Sequence, residues 1–260
     1  MKRYLLAIAM GCLALAAHAQ ERVIRVSTDG TYPPFSETSA NGEMTGFDID
    51  IAKALCVQLK ARCEIKQIAW DGLIPALNTR KIDAIIASMN ATPERAKNVA
   101  FTEPYYQNPG IFVRKKGAKI EVTPEGLKGK TLGVLRASVF DRYATEKLKG
   151  QVQLKRYSSQ TDANLDMRSG RIDMLFADAL VLEDGFLNRP EGKEFEVFGP
   201  AITDPVYFGN GISIAVRKAD KKLVEDYNAA IKAIRASGEY QKISNKYFGR
   251  DIYTMPQATK

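Results

Sequence analysis

The sequence predicts an α/β protein built from two related lobes. Strand patterns alternate with helical patterns along both halves of the chain, which is typical of parallel sheets covered by helices. A short motif also repeats: "RKIDAIIAS" at residues 80–88 resembles "GRIDMLFAD" at residues 170–178. Two extended segments, residues 105–115 and 199–218, indicate two crossings between the halves. We therefore expect a mostly parallel sheet in each lobe and a two-strand hinge between the lobes.

Residues 1–19 are predicted to be a cleaved secretory signal peptide. Lys2 and Arg3 precede an apolar run at residues 5–17, and Ala17-His18-Ala19 fits a cleavage site. The run is shorter than the roughly 20 residues that a membrane-spanning helix needs. A lipid anchor at Cys12 is the alternative, but the apolar run continues past it. The mature protein is therefore expected to be exported.

Cleavage would change the composition in a way that excludes several classes of site. It removes His18, the only histidine, and lowers the formal charge from +8 to +6. Without imidazole, Ser-His-Asp and Cys-His nucleophile systems and His-ligated zinc are excluded, and we expect no metal and no cofactor. The basic residues are scattered among acids, so we expect no nucleic-acid partner. No later segment is apolar enough to span a membrane, and we expect a soluble monomer.

The first half starts with a short apolar strand and continues with a helix whose residues Phe47, Ile51 and Leu55 share one face. The last helix of this half is predicted to begin with Thr92 as its N-cap and Pro93 at its first position. The predicted strands are residues 23–27, 64–69 and 82–88, and the predicted helices are residues 47–60, 72–79 and 92–98.

The second half repeats this alternation, and the chain then returns to the first lobe. Its predicted strands are residues 131–135, 153–157 and 172–177, and its predicted helices are residues 139–148, 161–169, 220–237 and 239–248. Lobe 1 is thus predicted to contain residues 20–108 and 209–260, and lobe 2 residues 109–208. Lobes joined by two crossings can close on a ligand.

The mature chain would contain two cysteines, Cys56 and Cys63. An even count in an exported protein predicts one disulfide, and two free buried thiols are the alternative. Seven residues of α-helix rise about 10.5 Å, whereas bridged Cα atoms lie roughly 4.4–6.8 Å apart. A disulfide therefore requires the helix to end between the two cysteines.

Ligands of open α/β sheets bind beyond the carboxyl ends of the strands. The residues at these positions are Asp29, Tyr32, Trp70, Ser88, Asn90, residues 135–139 and Asp178. Arg95 lies in the first turn of a predicted helix, where a cation is disfavoured by roughly 0.3–1 kcal/mol unless an anion binds there. Each residue also has a structural alternative: Arg95 could reach solvent, either acid could cap a turn, and Trp70 could pack in the core.

Several longer motifs carry a family resemblance. They include "TDGTYPPFS", "GFDIDIAKALC", "WDGLIPAL", "IDAIIASMNATPERAK", "FTEPYY", "GVLRAS" and "YFGNGISIAVRK", and they follow one another along nearly the whole mature chain. In these motifs the chain resembles the periplasmic polar-amino-acid-binding proteins of ABC importers (solute-binding protein family 3), in particular the lysine/arginine/ornithine- and histidine-binding proteins. The resemblance implies the type II periplasmic-binding-protein fold and supports a Cys56–Cys63 disulfide.

The resemblance also implies how the ligand's backbone groups are held. Arg95 would form a bidentate contact with the α-carboxylate, together with the backbone N–H groups of Asn90 and Val139. Asp178 would bind the α-ammonium, with help from the Ser88 carbonyl and the Asn90 side chain.

The ligand side chain would meet a second set of residues. By the resemblance, Tyr32 and Trp70 would stack on its aliphatic part, Asp29 would face its distal end, and Ala87 would contribute through its backbone. The two acids and one arginine are the inverse of the charges of a basic L-amino acid. This predicts capture of arginine, lysine, ornithine or histidine and delivery to a membrane permease, with no chemical reaction.

The sequence departs from the close relatives at five positions, which are Ala87, Asn90, Trp70, Val139 and Arg136. The larger Trp70 and the additional charge of Arg136 also admit an opine such as octopine as ligand. The alternative from another class is an exported dehydratase acting on prephenate or arogenate, for which Asp178 could act as the general acid.

Overall fold

The computed structural model describes residues 21–253. The predicted signal peptide, with Cys12 and His18, lies outside the described residues. The strands are β1 (Arg22–Thr28), β2 (Thr31–Tyr32), β3 (Ser36–Thr38), β4 (Met44–Thr45), β5 (Ala61–Gln67), β6 (Ala84–Ile85), β7 (Ala100–Phe101), β8 (Gly110–Lys115), β9 (Lys130–Leu135), β10 (Val152–Tyr157), β11 (Met174–Asp178), β12 (Phe195–Ile202) and β13 (Ala215–Val216).

The helices cover both faces of the sheets. The α-helices are α1 (Phe47–Gln58), α2 (Leu73–Asn78), α3 (Pro124–Leu127), α4 (Val139–Lys147), α5 (Gln160–Arg168), α6 (Ala179–Leu182), α7 (Pro205–Phe208), α8 (Lys221–Ala236) and α9 (Glu239–Phe248). Short 3-10 turns lie at Trp70–Gly72, Arg95–Lys97 and Pro190–Gly192, and a π-helix at Glu183–Leu187. Within residues 21–253, no helix combines the length and the apolar composition needed to cross a membrane.

Two five-stranded sheets form the centres of the two lobes. The sheet of lobe 1 has the order β5-β1-β6-β13-β7, and the sheet of lobe 2 has the order β10-β9-β11-β8-β12. A small sheet, β2-β3-β4, follows the first strand. Lobe 1 thus contains β13, which comes late in the chain, as expected for a lobe built from two separate segments. The exact boundaries at residues 108/109 and 208/209 remain a prediction.

Each sheet is mixed: four of its five strands run in one direction, and a single strand runs against them. The strands of the strand-helix alternation are parallel, namely β5, β1 and β6 in lobe 1 and β10, β9 and β11 in lobe 2. The strands next to the crossings, β13 in lobe 1 and β8 in lobe 2, are antiparallel to both of their neighbours. The alternation predicted the parallel strands, whereas the antiparallel ones come from segments that cross between the lobes.

The two crossing segments are hydrogen-bonded to each other. The N–H of Ile212 donates to the carbonyl of Tyr106 at 2.9 Å, and the N–H of Tyr105 donates to the carbonyl of Ile212 at 2.9 Å. Ile212 also forms an isolated bridge with Asn90. This pairing is the predicted two-strand hinge.

Cys56 and Cys63 form a disulfide with a Cα–Cα distance of 5.9 Å. The geometric condition is met because α1 ends at Gln58 and Lys60 turns the chain with a φ of 49°. Strand β5 then carries Cys63 back past the helix end. The disulfide predicted from the cysteine count is confirmed.

The predicted helix at residues 92–98 is a single 3-10 turn, Arg95–Lys97. Thr92 does act as a cap, because its Oγ1 accepts a hydrogen bond from the Arg95 N–H at 3.2 Å. Asn98 and Val99 both donate to the Arg95 carbonyl, and the chain enters β7 directly after them. The segment is therefore too short for an α-helix.

Candidate functional site

A pocket lies between the lobes, beyond the carboxyl ends of the parallel strands. The residues predicted as ligand contacts all line it, and they are Asp29, Tyr32, Trp70, Ala87, Ser88, Asn90, Arg95, Val139 and Asp178. The wall is completed by Ser36, Leu135, Ser138 and Phe140. The fold thus gathers residues that are up to 149 positions apart in the sequence.

Asp178 is the last residue of β11 and is 1% exposed. Its Oδ2 accepts a hydrogen bond of 2.6 Å from the Tyr32 hydroxyl, which lies in the other lobe. Its Oδ1 is buried and has no hydrogen-bond partner among residues 21–253. Burial raises the pKa of Asp178 to about 7, against the opposing effects of the Tyr32 hydrogen bond and the Arg95 charge. An ammonium group is the kind of donor that such a carboxylate can bind.

Asp29 follows β1 and is 4% exposed. Its Oδ1 accepts hydrogen bonds from the Thr31 N–H at 2.6 Å and from the Thr31 Oγ1 at 3.2 Å. Burial raises the pKa of Asp29, and the two bonds from Thr31 act in the opposite direction. Asp29 therefore stabilises its own turn, as in the structural alternative, and also lines the pocket.

Arg95 is the pocket's arginine. One guanidinium nitrogen, Nη1, donates to the carbonyl of Asn90 at 3.2 Å, and the guanidinium carbon lies 5.0 Å from the centre of the Trp70 ring. Burial lowers the pKa of Arg95 to about 10, so that the side chain remains cationic at neutral pH. A hydrogen bond and a cation–π contact hold the guanidinium against the pocket instead of in solvent.

Two aromatic residues of the pocket each contact a charged neighbour. Trp70, half-buried in its 3-10 turn, lies against Arg95, while the hydroxyl of Tyr32 is bound to Asp178. Both rings still form part of the pocket wall. Their predicted contact with the ligand's aliphatic part remains a prediction, and each also fixes the orientation of a charged neighbour.

Ala87, Ser88 and Asn90 lie in the loop after β6. Ser88 has a φ of 53°, which is uncommon for a residue other than glycine. The Asn90 side chain donates to the carbonyl of Phe208 at 3.1 Å. Its amide nitrogen is thus engaged with the protein, which leaves the side-chain oxygen as the acceptor for an ammonium.

Helix α4 begins at the pocket with Val139. Its N-cap is Ser138, whose Oγ accepts a hydrogen bond from the Asp141 N–H at 3.1 Å. The first N–H groups of this nine-residue helix, including that of Val139, have no partner within the helix and can bind an anion. Arg136, by contrast, does not line the pocket and pairs with Asp71 of the other lobe at 2.7 Å.

Sequence reasoning missed two polar groups of the site. Ser36 lines the pocket, and its Oγ accepts a hydrogen bond from the Gly30 N–H at 3.2 Å. Asp48 lies behind the wall and is 1% exposed. An acid in the first turn of a helix usually only complements the helix dipole, so its sequence position gave no signal of burial. No cluster of metal-binding residues occurs among residues 21–253.

Comparison with known proteins shows similarity along nearly the whole chain. Residues 24–250 match the model of the bacterial extracellular solute-binding proteins, family 3. The L-arginine-binding protein of Pseudomonas aeruginosa PAO1 is 47% identical over 248 residues, which cover 95% of this chain and 96% of that protein. The histidine-binding periplasmic protein of Salmonella typhimurium LT2 is 39% identical over 250 residues, 95% of each chain.

Solved structures are also similar to this chain over most of its length. A Salmonella typhimurium periplasmic binding protein described as having high arginine specificity superposes with a TM-score of 0.80 at 33% identity. The similarity covers 87% of this chain and 99% of that one. Together with the two mixed sheets and their hinge, it shows the two-lobed type II fold.

Proposed function

The chain belongs to family 3 of the bacterial extracellular solute-binding proteins, and on this basis we propose that it binds a basic L-amino acid, L-arginine foremost. The ligand would lie in the pocket between the lobes and be delivered in the periplasm to the membrane permease of an ABC importer. We further propose that the protein works as a monomer. The family and the similar proteins are solute-binding proteins, so the chain is not an enzyme, and the dehydratase alternative is set aside.

The charge pattern of the pocket is the observation that carries this proposal. Asp29 and Asp178 are 4% and 1% exposed, and Arg95 is the arginine that lines the same wall. Buried charges are costly unless they are paired. A basic amino acid has two positive groups and one negative group, so that each pocket charge receives an opposite partner.

The positions of the groups suggest how the ligand lies. Its α-carboxylate would meet Arg95 and the N–H groups of Asn90 and Val139, at the start of α4. Its α-ammonium would meet the Ser88 carbonyl, the side-chain oxygen of Asn90 and Oδ1 of Asp178, which has no partner in the described part of the chain. The side chain of the ligand would pass along Tyr32, Trp70 and Ala87 towards Asp29.

A binding screen of the mature protein tests the proposal. Melting curves would be recorded with the twenty amino acids, ornithine, citrulline, agmatine, octopine and prephenate, and hits would be measured by calorimetry. A ligand at 100 times its Kd should stabilise the protein by about 2.7 kcal/mol. L-Arginine should give the largest shift, while citrulline, which lacks the charged tip, and agmatine, which lacks the carboxylate, should give much smaller ones.

Two other outcomes of the screen would change the assignment of the ligand. A larger shift with octopine than with arginine would assign the site to opines. A shift confined to neutral or acidic amino acids would contradict the basic-ligand proposal.

A further inference from the structure

Asp48 is a buried acid that does not line the pocket. It lies in the first turn of α1 and is 1% exposed. Its Oδ1 accepts a hydrogen bond of 2.7 Å from the Tyr105 hydroxyl, and its Oδ2 accepts one of 2.9 Å from the Ser88 hydroxyl. Of these two partners, only Ser88 belongs to the pocket wall.

Ser88 needs a restraint of this kind because of its backbone. Its φ of 53° lies in the left-handed region, which is unfavourable for a residue with a Cβ atom. The direction of its carbonyl group depends on this conformation. A relaxation to the right-handed region would turn the carbonyl away from the direction that contact with the ligand's ammonium requires.

We propose that Asp48 is a positioning residue for ligand binding, which holds Ser88 in its left-handed conformation through the bond to its hydroxyl and so aims its carbonyl at the ligand's ammonium. The inference rests on the proposed function, because it assigns the Ser88 carbonyl to the ligand. It concerns a residue that touches no ligand itself.

The expected size of the effect follows from the populations. If only a fraction of the molecules has Ser88 in the competent conformation, the apparent Kd rises by the inverse of that fraction. Loss of a restraint that offsets about 1–2 kcal/mol corresponds to roughly a tenfold weaker affinity. The bond to Tyr105 should not contribute, because Tyr105 lies in the core and not in the pocket wall.

Two substitutions of Ser88 separate backbone restraint from direct contact. Ser88→Ala removes the hydroxyl and keeps the Cβ atom, so Kd for arginine should rise about tenfold. Ser88→Gly also removes the hydroxyl, but glycine adopts positive φ readily. Its affinity should therefore be at least about fivefold higher than that of Ser88→Ala.

A substitution of Asp48 completes the test. Asp48→Leu has a similar shape and no acceptor, and it should weaken arginine binding about tenfold in the natural background. In the Ser88→Gly background the same change should weaken binding by less than about twofold, because the restraint is no longer needed. Tyr105→Phe is the matched control: it removes the other bond to Asp48, should lower Tm, and should leave Kd within about twofold.

Two of the possible results would overturn the proposal. Equal losses in Ser88→Ala and Ser88→Gly would show that the hydroxyl acts on the ligand directly, and would overturn the proposal. A tenfold effect of Asp48→Leu that persists with Ser88→Gly would do so as well. If Asp48→Leu does not fold, the two Ser88 variants decide alone. Failure of the unmodified protein to bind any basic amino acid would instead refute the proposed function.

Discussion

At the scale of single residues, the pocket is organised around groups whose charged forms are disfavoured by burial. Burial raises the pKa of Asp29 and of Asp178 and lowers the pKa of Arg95. Under the proposed function, each charge would gain from an opposite charge brought to it by the ligand. Recognition of a basic amino acid would then follow from the number and sign of the charges, in addition to the shape of the pocket.

Arg95 is predicted to bind the ligand's carboxylate. Arg95→Ala should leave the protein folded and weaken arginine binding by about 2–5 kcal/mol, since the carboxylate would lose a buried charge partner. Arg95→Lys is the matched control, which keeps the charge but loses the bidentate geometry. Its affinity for arginine should lie between that of the natural protein and that of Arg95→Ala. Calorimetry that found less than about a tenfold loss for Arg95→Ala would contradict this assignment.

Asp29 is predicted to read the charge at the distal end of the ligand. A charge-assisted hydrogen bond there contributes roughly 1.5–3 kcal/mol, so Asp29→Asn should weaken arginine strongly and citrulline much less. The measurement is the difference between the two losses of affinity, which cancels effects of the substitution on the Thr31 turn. A difference near zero would show that Asp29 does not sense side-chain charge.

Asp178 predicts a pH dependence of binding. Burial raises its pKa to about 7, and an ammonium ligand would favour the ionised form. Affinity should therefore be highest above about pH 7 and fall as the pH decreases, with a limiting slope of about tenfold per pH unit. Calorimetry at pH 6 in buffers of different ionisation enthalpy should detect proton release on binding. A constant Kd between pH 5 and 8 would rule out this coupling.

At the scale of secondary-structure elements, sequence patterns predicted the long elements best. The predicted helix at residues 239–248 coincides with α9, whose N-cap is Gly238, a residue with positive φ. The short strands β6 and β13, of two residues each, could not be delimited, because their length is fixed by neighbouring strands. The 3-10 turn at Arg95–Lys97 was predicted as an α-helix, since its cap signals are the same for both.

For the candidate site, the sequence predicted the positions of the residues better than their roles. The strand-end rule located Asp29, Tyr32 and Asp178, which the sheets bring to one pocket. The resemblance, rather than any local pattern, supplied the roles of the residues. Two features could not be predicted, namely the position of Arg136 outside the pocket and the burial of Asp48. Both depend on contacts between distant segments, which no local pattern in a single sequence indicates.

The α1–β5 connection leads to a prediction about the disulfide. Thiol titration of the denatured, unreduced mature protein should find no free thiol. Because the loop spans only 7 residues, reduction should lower the free energy of unfolding by an amount at or below the low end of the usual range of about 2–4 kcal/mol. A paired Cys56→Ala/Cys63→Ala variant provides the control for chemical side effects. Two free thiols in the titration would reject the bond.

At the scale of the whole molecule, the lobes are held together by contacts that surround the pocket. The Tyr32–Asp178 hydrogen bond lies inside it, and the ion pairs Arg136–Asp71 and Arg142–Glu94, both at 2.7 Å, lie outside. All three contacts join lobe 2 to lobe 1, and the two ion pairs do so through Asp71 and Glu94, the sequence neighbours of Trp70 and Arg95 of the pocket wall. Closure of the lobes and alignment of the wall residues are therefore coupled.

Gly185 lies at a tight contact between the lobes. It lies in the π-helix Glu183–Leu187 of lobe 2, and a Cβ atom added to it would lie 2.2 Å from the carbonyl oxygen of Pro33 in lobe 1. Such a distance is shorter than any real contact, and the obstacle is backbone that cannot rotate away. Gly185→Ala should therefore hold the lobes apart while leaving the interior of each lobe intact.

The expected result is a loss of affinity without a matching loss of stability. Arginine binding to Gly185→Ala should weaken by at least about tenfold, because the ligand must bridge lobes that no longer meet, while the Tm of the ligand-free protein should change little. The control is Gly126→Ala, whose Cβ would lie 2.6 Å from the Glu121 carbonyl oxygen within lobe 2 alone. It should lower Tm and leave Kd nearly unchanged. Small-angle scattering with saturating arginine should give a larger radius of gyration for Gly185→Ala than for the natural protein, and equal radii with equal affinities would show that this contact does not limit closure.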